Sequence, residues 1–280
     1  MKVQYWGTAA TEGIPSVFCS CEVCAQARQR GGRFIRLRSQ ALIDDSLLID
    51  FGPDTYINAL RYGYNLGNLE NVIITHVHSD HFTPTEIARR RKDFAHGVKK
   101  DVLDIYGSSA VEAAFIDGGG VNGKRVLDEG RVKFHTLEPF KAVEIGRHVI
   151  TPLPANHGSD SPYIYIIESG EKTALYYHDS GLPSQETFAR LTACGKNFDF
   201  VSNDCTHGNN VSVEKGGHMG VGTVLYLRER LEEAGLYKQN TLSVLNHFSH
   251  NGVDVSYDKF VPIAQKEGFI VSYDGLTVEF

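Results

Sequence analysis

Thr75-His76-Val77-His78-Ser79-Asp80-His81 gathers four side chains able to ligate a divalent metal into seven residues. Before it runs Val72-Ile73-Ile74, an apolar stretch that reads as the end of a buried strand. After it, Thr83-Pro84-Thr85-Glu86 has the marks of a helix start, a capping box with Pro at the first helical position. The ligands are therefore expected on a strand-to-helix turn. If that turn stays locally extended, His76 and His78 point the same way while Asp80 and His81 point elsewhere. Two groups of ligands can then serve two metals. Imidazole is the commonest metal-ligand side chain, and a run this dense marks a metal site rather than a polar loop.

The rest of the chain sets bounds on that reading. A length of 280 residues suits one large α/β domain or two small ones, and 41% hydrophobic and 22% charged residues are ordinary for a soluble enzyme. The formal net charge of −6 speaks against a general nucleic-acid binder. Met1-Lys-Val-Gln-Tyr-Trp6 has no apolar core of a signal peptide, and no apolar run reaches membrane-spanning length, so a cytoplasmic location is expected. Three of the five Cys crowd into Cys19-Ser-Cys21-Glu-Val-Cys24, spacing suited to a metal knuckle rather than a disulfide framework, while Cys194 and Cys205 read as incidental thiols.

Strands are expected near Lys2–Gly7, Ala41–Ile43, Leu47–Ile49, Asn71–Thr75, Val102–Tyr106, Val132–His135, Lys141–Ile145, His148–Leu153, Tyr163–Glu168, Thr173–Tyr177, Phe198–Ser202 and Thr241–Leu245, with a terminal hairpin of Ile270–Tyr273 and Leu276–Phe280. Helices are expected from the Cys cluster to about Arg30, and at Pro53–Arg61, Glu86–Phe94, Ser109–Ile116, Val221–Ala234 and Ser256–Lys266. Arg89-Arg90-Arg91-Lys92 reads as a solvated helix face, and Gly118–Gly123 as a flexible loop tip.

His76-x-His78-x-Asp80-His81 resembles the metal motif of the metallo-β-lactamase superfamily. Further polar clusters, each after an expected strand, extend the resemblance over nearly the whole chain: Asp50 in Leu48-Ile-Asp50-Phe-Gly52, His157 in Pro154-Ala-Asn-His157-Gly158, Asp179 in Tyr177-His178-Asp179-Ser-Gly181, and His247 with His250 in Leu245-Asn-His247-Phe-Ser-His250. The resemblance implies an α/β fold, the four-layer αβ/βα sandwich, over residues 1–280 as a single domain. Composition alone would not choose it over a doubly wound sheet. The resemblance also implies that His76, His78 and His157 hold one metal, Asp80, His81 and His247 the other, and that Asp179 bridges them. Asp50 would orient a ligand His from behind. Either Zn²⁺, Mn²⁺ or Fe²⁺ suits such donors.

Asp80-His81 sets the chain apart from true β-lactamases and implies the branch of phosphodiesterases, RNA-processing nucleases, lactonases and thioesterases. The Cys triad needs a fourth ligand to close a tetrahedral structural zinc site, and His250 is the natural candidate. This pattern resembles the accessory phosphodiesterases of the carbon–phosphorus lyase pathway. The quinone-cofactor synthesis proteins share a similar knuckle. The implied activity is hydrolysis of small or cyclic phosphodiesters by a metal-bridging hydroxide, with Asp80 and His218 as catalytic residues. His218, in Gly216-Gly-His218-Met-Gly220, is preferred over His207 as the proton donor to the leaving oxygen because it sits in a loop before a helix. His178 should face away from Asp179, and His96, His135 and His148 have no supporting context. An RNA nuclease and a quinone-pathway protein are the alternatives, a small-molecule phosphodiester is the expected partner, and a homodimer is the base-rate expectation.

Overall fold

A computed structural model describes residues 1–280 and contains two seven-stranded sheets. The first runs β14 (Thr277–Glu279), β1 (Lys2–Gly7), β2 (Gln40–Ile43), β3 (Leu47–Ile49), β4 (Asn71–Ile73), β5 (Leu103–Gly107), β6 (Val132–Thr136). The second runs β13 (Ile270–Val271), β12 (Tyr237–Asn246), β11 (Phe198–Asp204), β10 (Lys172–Tyr177), β9 (Tyr163–Ser169), β8 (His148–Pro154), β7 (Val143–Ile145). Helices α1 (Glu22–Arg30), α6 (Gln185–Ala193), α7 (Val221–Glu233) and α8 (Tyr257–Lys266) cover the second sheet. Helices α2 (Thr55–Arg61), α3 (Pro84–Ile87), α4 (Ser109–Gly118) and α5 (Gly120–Asp128) cover the first.

Alternation along the strands explains the four layers. In β9, Tyr163, Tyr165 and Ile167 enter the core between the sheets, where they join Ile43, Ile49 and Ile73. Ile164 and Ile166, one residue out of step, turn outward into the core beneath the helices, which also holds Leu191 of α6, Leu227 of α7 and Phe260 of α8. Leu48 and Val72 likewise turn outward into the core that holds Phe115 of α4 and Val126 of α5. Strands buried on both faces read as unbroken apolar runs, as these do.

Four local expectations fail, each for a tertiary reason. The stretch after the metal loop is not a helix to Phe94: α3 ends at Ile87, a 3-10 turn covers Ala88–Arg90, and Thr83 makes no side-chain cap. Glu86 is occupied instead by Arg89 at 3.1 Å. Arg90 is not on a solvated face but buried. Gly118–Gly123 is not a loop tip: α4 runs into α5 there, and a Cβ on Gly119 would stand 2.7 Å from the Phe115 carbonyl oxygen, so the glycines permit two helices to meet closely. The last two strands do not pair with each other. β13 adds to β12 in parallel and β14 adds to β1 antiparallel, so the turn between them crosses from one sheet to the other. Helix α6 was not expected, although Ser184 caps it by accepting from the Thr187 amide at 3.1 Å.

Candidate active site

Strands β3 to β6 are mutually parallel, as are β10 to β13, and parallel strands place all their carboxyl ends on one edge. Strand β8 shares the sense of β10, since both are antiparallel to β9. Asp50 follows β3, His76–His81 follow β4, His157 follows β8, Asp179 follows β10, Asp204 ends β11 and His247 follows β12. Six chain segments distant in sequence therefore deliver polar side chains to one cleft. Three of these residues, Asp50, Asp179 and His247, adopt left-handed backbone with φ of 68°, 48° and 64°. Such a conformation in a non-glycine residue costs on the order of 1–3 kcal/mol and collects at functional sites. Here it ends each strand abruptly at the donor.

His76, His78 and His157 bring a ring nitrogen each into one group, with His78 Nδ1 3.0 Å from His76 Nε2 and 3.2 Å from His157 Nε2. Asp80, His81 and His247 form a second group. Asp179 lies against both: its Oδ2 is 2.9 Å from His81 Nε2 and 2.8 Å from His247 Nε2, and its Oδ1 is 3.7 Å from His157 Nε2. The expected sets lie together, and two further groups overlap them: His76, His81 and Asp179, and Asp179, Asp204, His218 and His247. His81 Nε2, His247 Nε2 and Asp179 Oδ2 are buried and, although Asp179 Oδ2 stands 2.9 and 2.8 Å from the two nitrogens, make no hydrogen bond of good geometry. Buried polar atoms are almost always satisfied. Three orphans that converge on one another, from two imidazoles and a carboxylate, fit the donor set of a divalent metal.

The electrostatics agree. Burial, reinforced by the neighbouring His81, lowers the His76 pKa to about 2, and burial also lowers that of His157. A neutral imidazole keeps the lone pair that a metal requires. His81 behaves oppositely: burial lowers its pKa, but Asp179, Asp50 and Asp80 outweigh burial and raise it well above the ordinary value. The cluster of buried carboxylates calls for positive charge in its midst, which bound metal would supply.

Asp50 is fully buried and accepts from Thr75 through its amide at 2.7 Å and from His81 Nδ1 at 2.7 Å, so it braces the metal loop. Gly52 lies directly beneath the loop, where a Cβ would stand 2.0 Å from the Asp80 carbonyl oxygen.

His218 comes to the same cleft, its ring stacked on His247 with centroids 5.7 Å apart. Its Nδ1 lies 3.1 Å from Asp204 Oδ2. Burial opposes charge on this ring, but the hydrogen bond and charge of Asp204, with Asp179 and Asp80, push its pKa up to about 9. His207 instead pairs with Glu214 at 2.7 Å, outside the ligand groups. Sequence reasoning missed Asp204 and Thr206. Asp204 is fully buried and accepts from the amides of Thr206 and Met219 at 3.1 and 2.9 Å, and Thr206 Oγ1 is 2.9 Å from His247 Nδ1. The available signal was an acid ending an apolar strand, the same signal that picked out Asp50.

A separate group joins Cys19, Cys21, Cys24 and His250, whose donor atoms all lie within 4.8 Å of one another. The two thiols of Cys19 and Cys21 stand 3.6 and 3.5 Å from His250 Nδ1. A tetrahedral zinc with Zn–S of about 2.3 Å and Zn–N of about 2.0 Å has edges of roughly that length. Burial raises the Cys21 pKa, yet the Cys24 amide and the His250 ring outweigh it and bring the pKa down to about 6, while burial and the neighbouring thiols push Cys24 up to about 11, so the crowded triad shares its charge unevenly. The remaining histidines stay away: His178 faces inward to Ser202 at 2.7 Å, His135 pairs with Asp104, His148 with Asp44, and His96 is exposed. No helix is long and apolar enough to cross a membrane.

A family model, the beta-lactamase superfamily domain, matches residues 46–240. In sequence, ribonuclease Z of Listeria monocytogenes serovar 1/2a is 26% identical over 175 residues, covering 62% of this chain and 52% of that protein. The match thus spans about half the length of the curated relative. In structure, the chain is similar to a diphosphatase of the PhnP family, with TM-score 0.73, 20% identity and coverage of 100% of this chain and 97% of the other. It is similar also to zinc-bound PqqB of Methylobacterium extorquens, with TM-score 0.75, 17% identity and full coverage of both chains. These structural likenesses establish a shared fold. With a family model covering most of the chain, and two sheets flanked by helices presenting paired ligand groups at one edge, the chain belongs to the β-lactamase superfamily and has the metallo-β-lactamase fold.

Proposed function

We propose that the protein is a metal-dependent phosphodiesterase acting on small or cyclic phosphate esters. One observation carries the reading: the buried, unpartnered Asp179 Oδ2 stands between His81 Nε2 and His247 Nε2, with the His76, His78, His157 group on its other side. His76, His78 and His157 would hold one divalent ion, Asp80, His81 and His247 a second, and Asp179 would touch both. When bound, such a pair supplies a water nucleophile at neutral pH and neutralises charge growing on phosphoryl oxygens.

The chain's own residues do the rest. Asp50 fixes the orientation of His81 through its Nδ1, leaving Nε2 turned inward. Asp204 holds His218 with its proton on the ring, beside Asp179 at 3.8 Å, and His218 would protonate the departing alkoxide. Cys19, Cys21, Cys24 and His250 would hold a structural zinc that ties the N-terminal loop to the segment carrying His247. The similarity to a PhnP-family diphosphatase is consistent with phosphate-ester chemistry.

A second reading, an RNA nuclease, is favoured by the similarity to ribonuclease Z and by the basic stretch Arg89–Lys100. Many of its cations are already engaged, Arg89 by Glu86, Arg91 by Asp93, Lys99 and Lys100 by Glu70. The test is turnover by the metal-loaded chain of bis(p-nitrophenyl) phosphate, a 2′,3′-cyclic nucleotide and a structured RNA precursor. Turnover of the small diesters without cutting of RNA supports the first reading. Site-specific RNA cutting with negligible small-diester turnover replaces it with the second. Failure on all three, with metals bound, sinks both.

A further inference from the structure

Behind the metal loop lies a cavity that the proposed chemistry does not use. Its volume is about 210 Å³; it is open on one side and lined by α2, α3, the turn before β4 and the segment leading into β5. Phe51, Leu69, Ile87, Val98 and Leu103 give it a mainly apolar wall. Three charged side chains also line it, Glu86, Arg89 and Arg90. Glu86 and Arg89 neutralise each other at 3.1 Å.

Arg90 is left over. It is only 9% exposed and forms no ion pair. Asp101, whose charge reaches it, is engaged by Arg131 at 2.7 Å. Arg90 Nη2 donates to the neutral Lys100 carbonyl at 2.6 Å, while its Nε is buried without a partner. Nε, without accessible surface, is closed to the cavity too, so the donor left to meet a ligand is Nη1, which makes no hydrogen bond. The lining therefore sums to one uncompensated positive charge beside an apolar wall.

We propose that this cavity binds a small amphiphilic monocarboxylate, its carboxylate on Arg90 and its aromatic or short aliphatic body against Phe51, Leu69 and Leu103. Size agrees: an apolar cavity of about 150 Å³ holds benzene, so this one has room for a ring with a carboxylate. Arginine is the residue that matches a carboxylate in shape and charge. The occupant lies against the frame of the metal loop. The Phe51 amide donates to the His81 carbonyl and the Phe51 carbonyl accepts from the Thr83 amide, both at 2.8 Å, and Ile87 belongs to the helix that the loop enters. The site does not rest on the phosphodiesterase reading.

The experiment is titration of the full metal-loaded chain with benzoate, benzyl alcohol and acetate, followed by calorimetry and by the Ile87 methyl resonance. Saturable benzoate binding that shifts Ile87, at least about tenfold tighter than benzyl alcohol or acetate, is the expected result. Val98→Phe, which fills the cavity, abolishes it. Arg90→Met removes the preference for benzoate over the alcohol. Asp179→Ala, impaired at the metal cleft, keeps it and so separates this cavity from carboxylate binding at metals. No saturable shift of Ile87, equal affinity for the alcohol, or benzoate binding that survives Val98→Phe or vanishes in Asp179→Ala overturns the proposal. If Arg90→Met does not fold, the alcohol comparison and Val98→Phe decide.

Discussion

Asp50 Oδ2 accepts from His81 Nδ1 at 2.7 Å, which leaves Nε2 of the same ring facing Asp179 at 2.9 Å. A ring fixed from behind presents one tautomer and one direction to a metal, and losing such a brace costs about 10–100-fold in metal affinity or activity. Asp50→Ala should therefore weaken active-site metal binding by that factor while leaving the knuckle metal in place. Metal content after graded chelator dialysis checks it. Unchanged retention at both sites would mean that His81 is held by its other contacts.

Gly52 offers a steric test of the same loop. With a Cβ 2.0 Å from the Asp80 carbonyl oxygen, Gly52→Ala must push backbone against backbone. Overpacking costs about 1–3 kcal/mol even where side chains can yield. The expected outcome is a lower Tm together with loss of active-site metal, and a variant of native Tm and full metal content would contradict the packing.

His218 should reveal itself through leaving-group dependence. Removing a general acid costs about 10²–10⁴-fold when the leaving oxygen needs a proton. His218→Ala should thus lose most activity toward alkyl diesters and far less toward bis(p-nitrophenyl) phosphate, whose phenolate leaves unaided. Equal losses on both substrates would assign His218 to binding or structure instead.

The knuckle predicts a separable metal. Cys21→Ser removes one donor from the Cys19, Cys21, Cys24, His250 group, so one zinc per chain should be lost. Structural zinc contributes directly to folding free energy, and Tm should fall with it. Metal analysis beside calorimetry reads both, and a variant that keeps its zinc count would exclude the four-ligand site.

Asp274 carries a pH signature far from the cleft. Burial raises its pKa to about 6, against the pull of the Leu37 amide, the Thr8 hydroxyl and the charges of Arg36 and Arg61. An unfolded Asp titrates near 3.9, so between those values the native chain holds the extra proton. Its contribution is complete below about pH 4 and is lost as pH rises through about 6, on the order of 3 kcal/mol at most. Asp274→Asn should flatten that part of the stability–pH profile measured by urea unfolding. Parallel profiles for the two proteins would show that Asp274 ionises freely.

The amino-acid sequence by itself determined the donor types, their order and their place at strand ends. These are local properties: the unbroken apolar run Tyr163–Ile167 declares both faces of its strand buried, and His76–His81 states its chemistry within one turn. It marked Cys19, Cys21 and Cys24 as a metal knuckle by their tight spacing, while His250 entered only as a candidate fourth ligand, brought beside them by the fold. Only the tertiary structure decided what depends on contact across the fold. Asp204 looked like any strand-end acid until β11 set it against His218 and His247. The glycines of 118–123 became helical because Phe115 and Gly123 meet there, and the final strands separated because each completes a different sheet. Arg90 gave no sign in a run of cations that it alone would be buried unpaired, because burial is a property of what surrounds a residue and not of the residue itself.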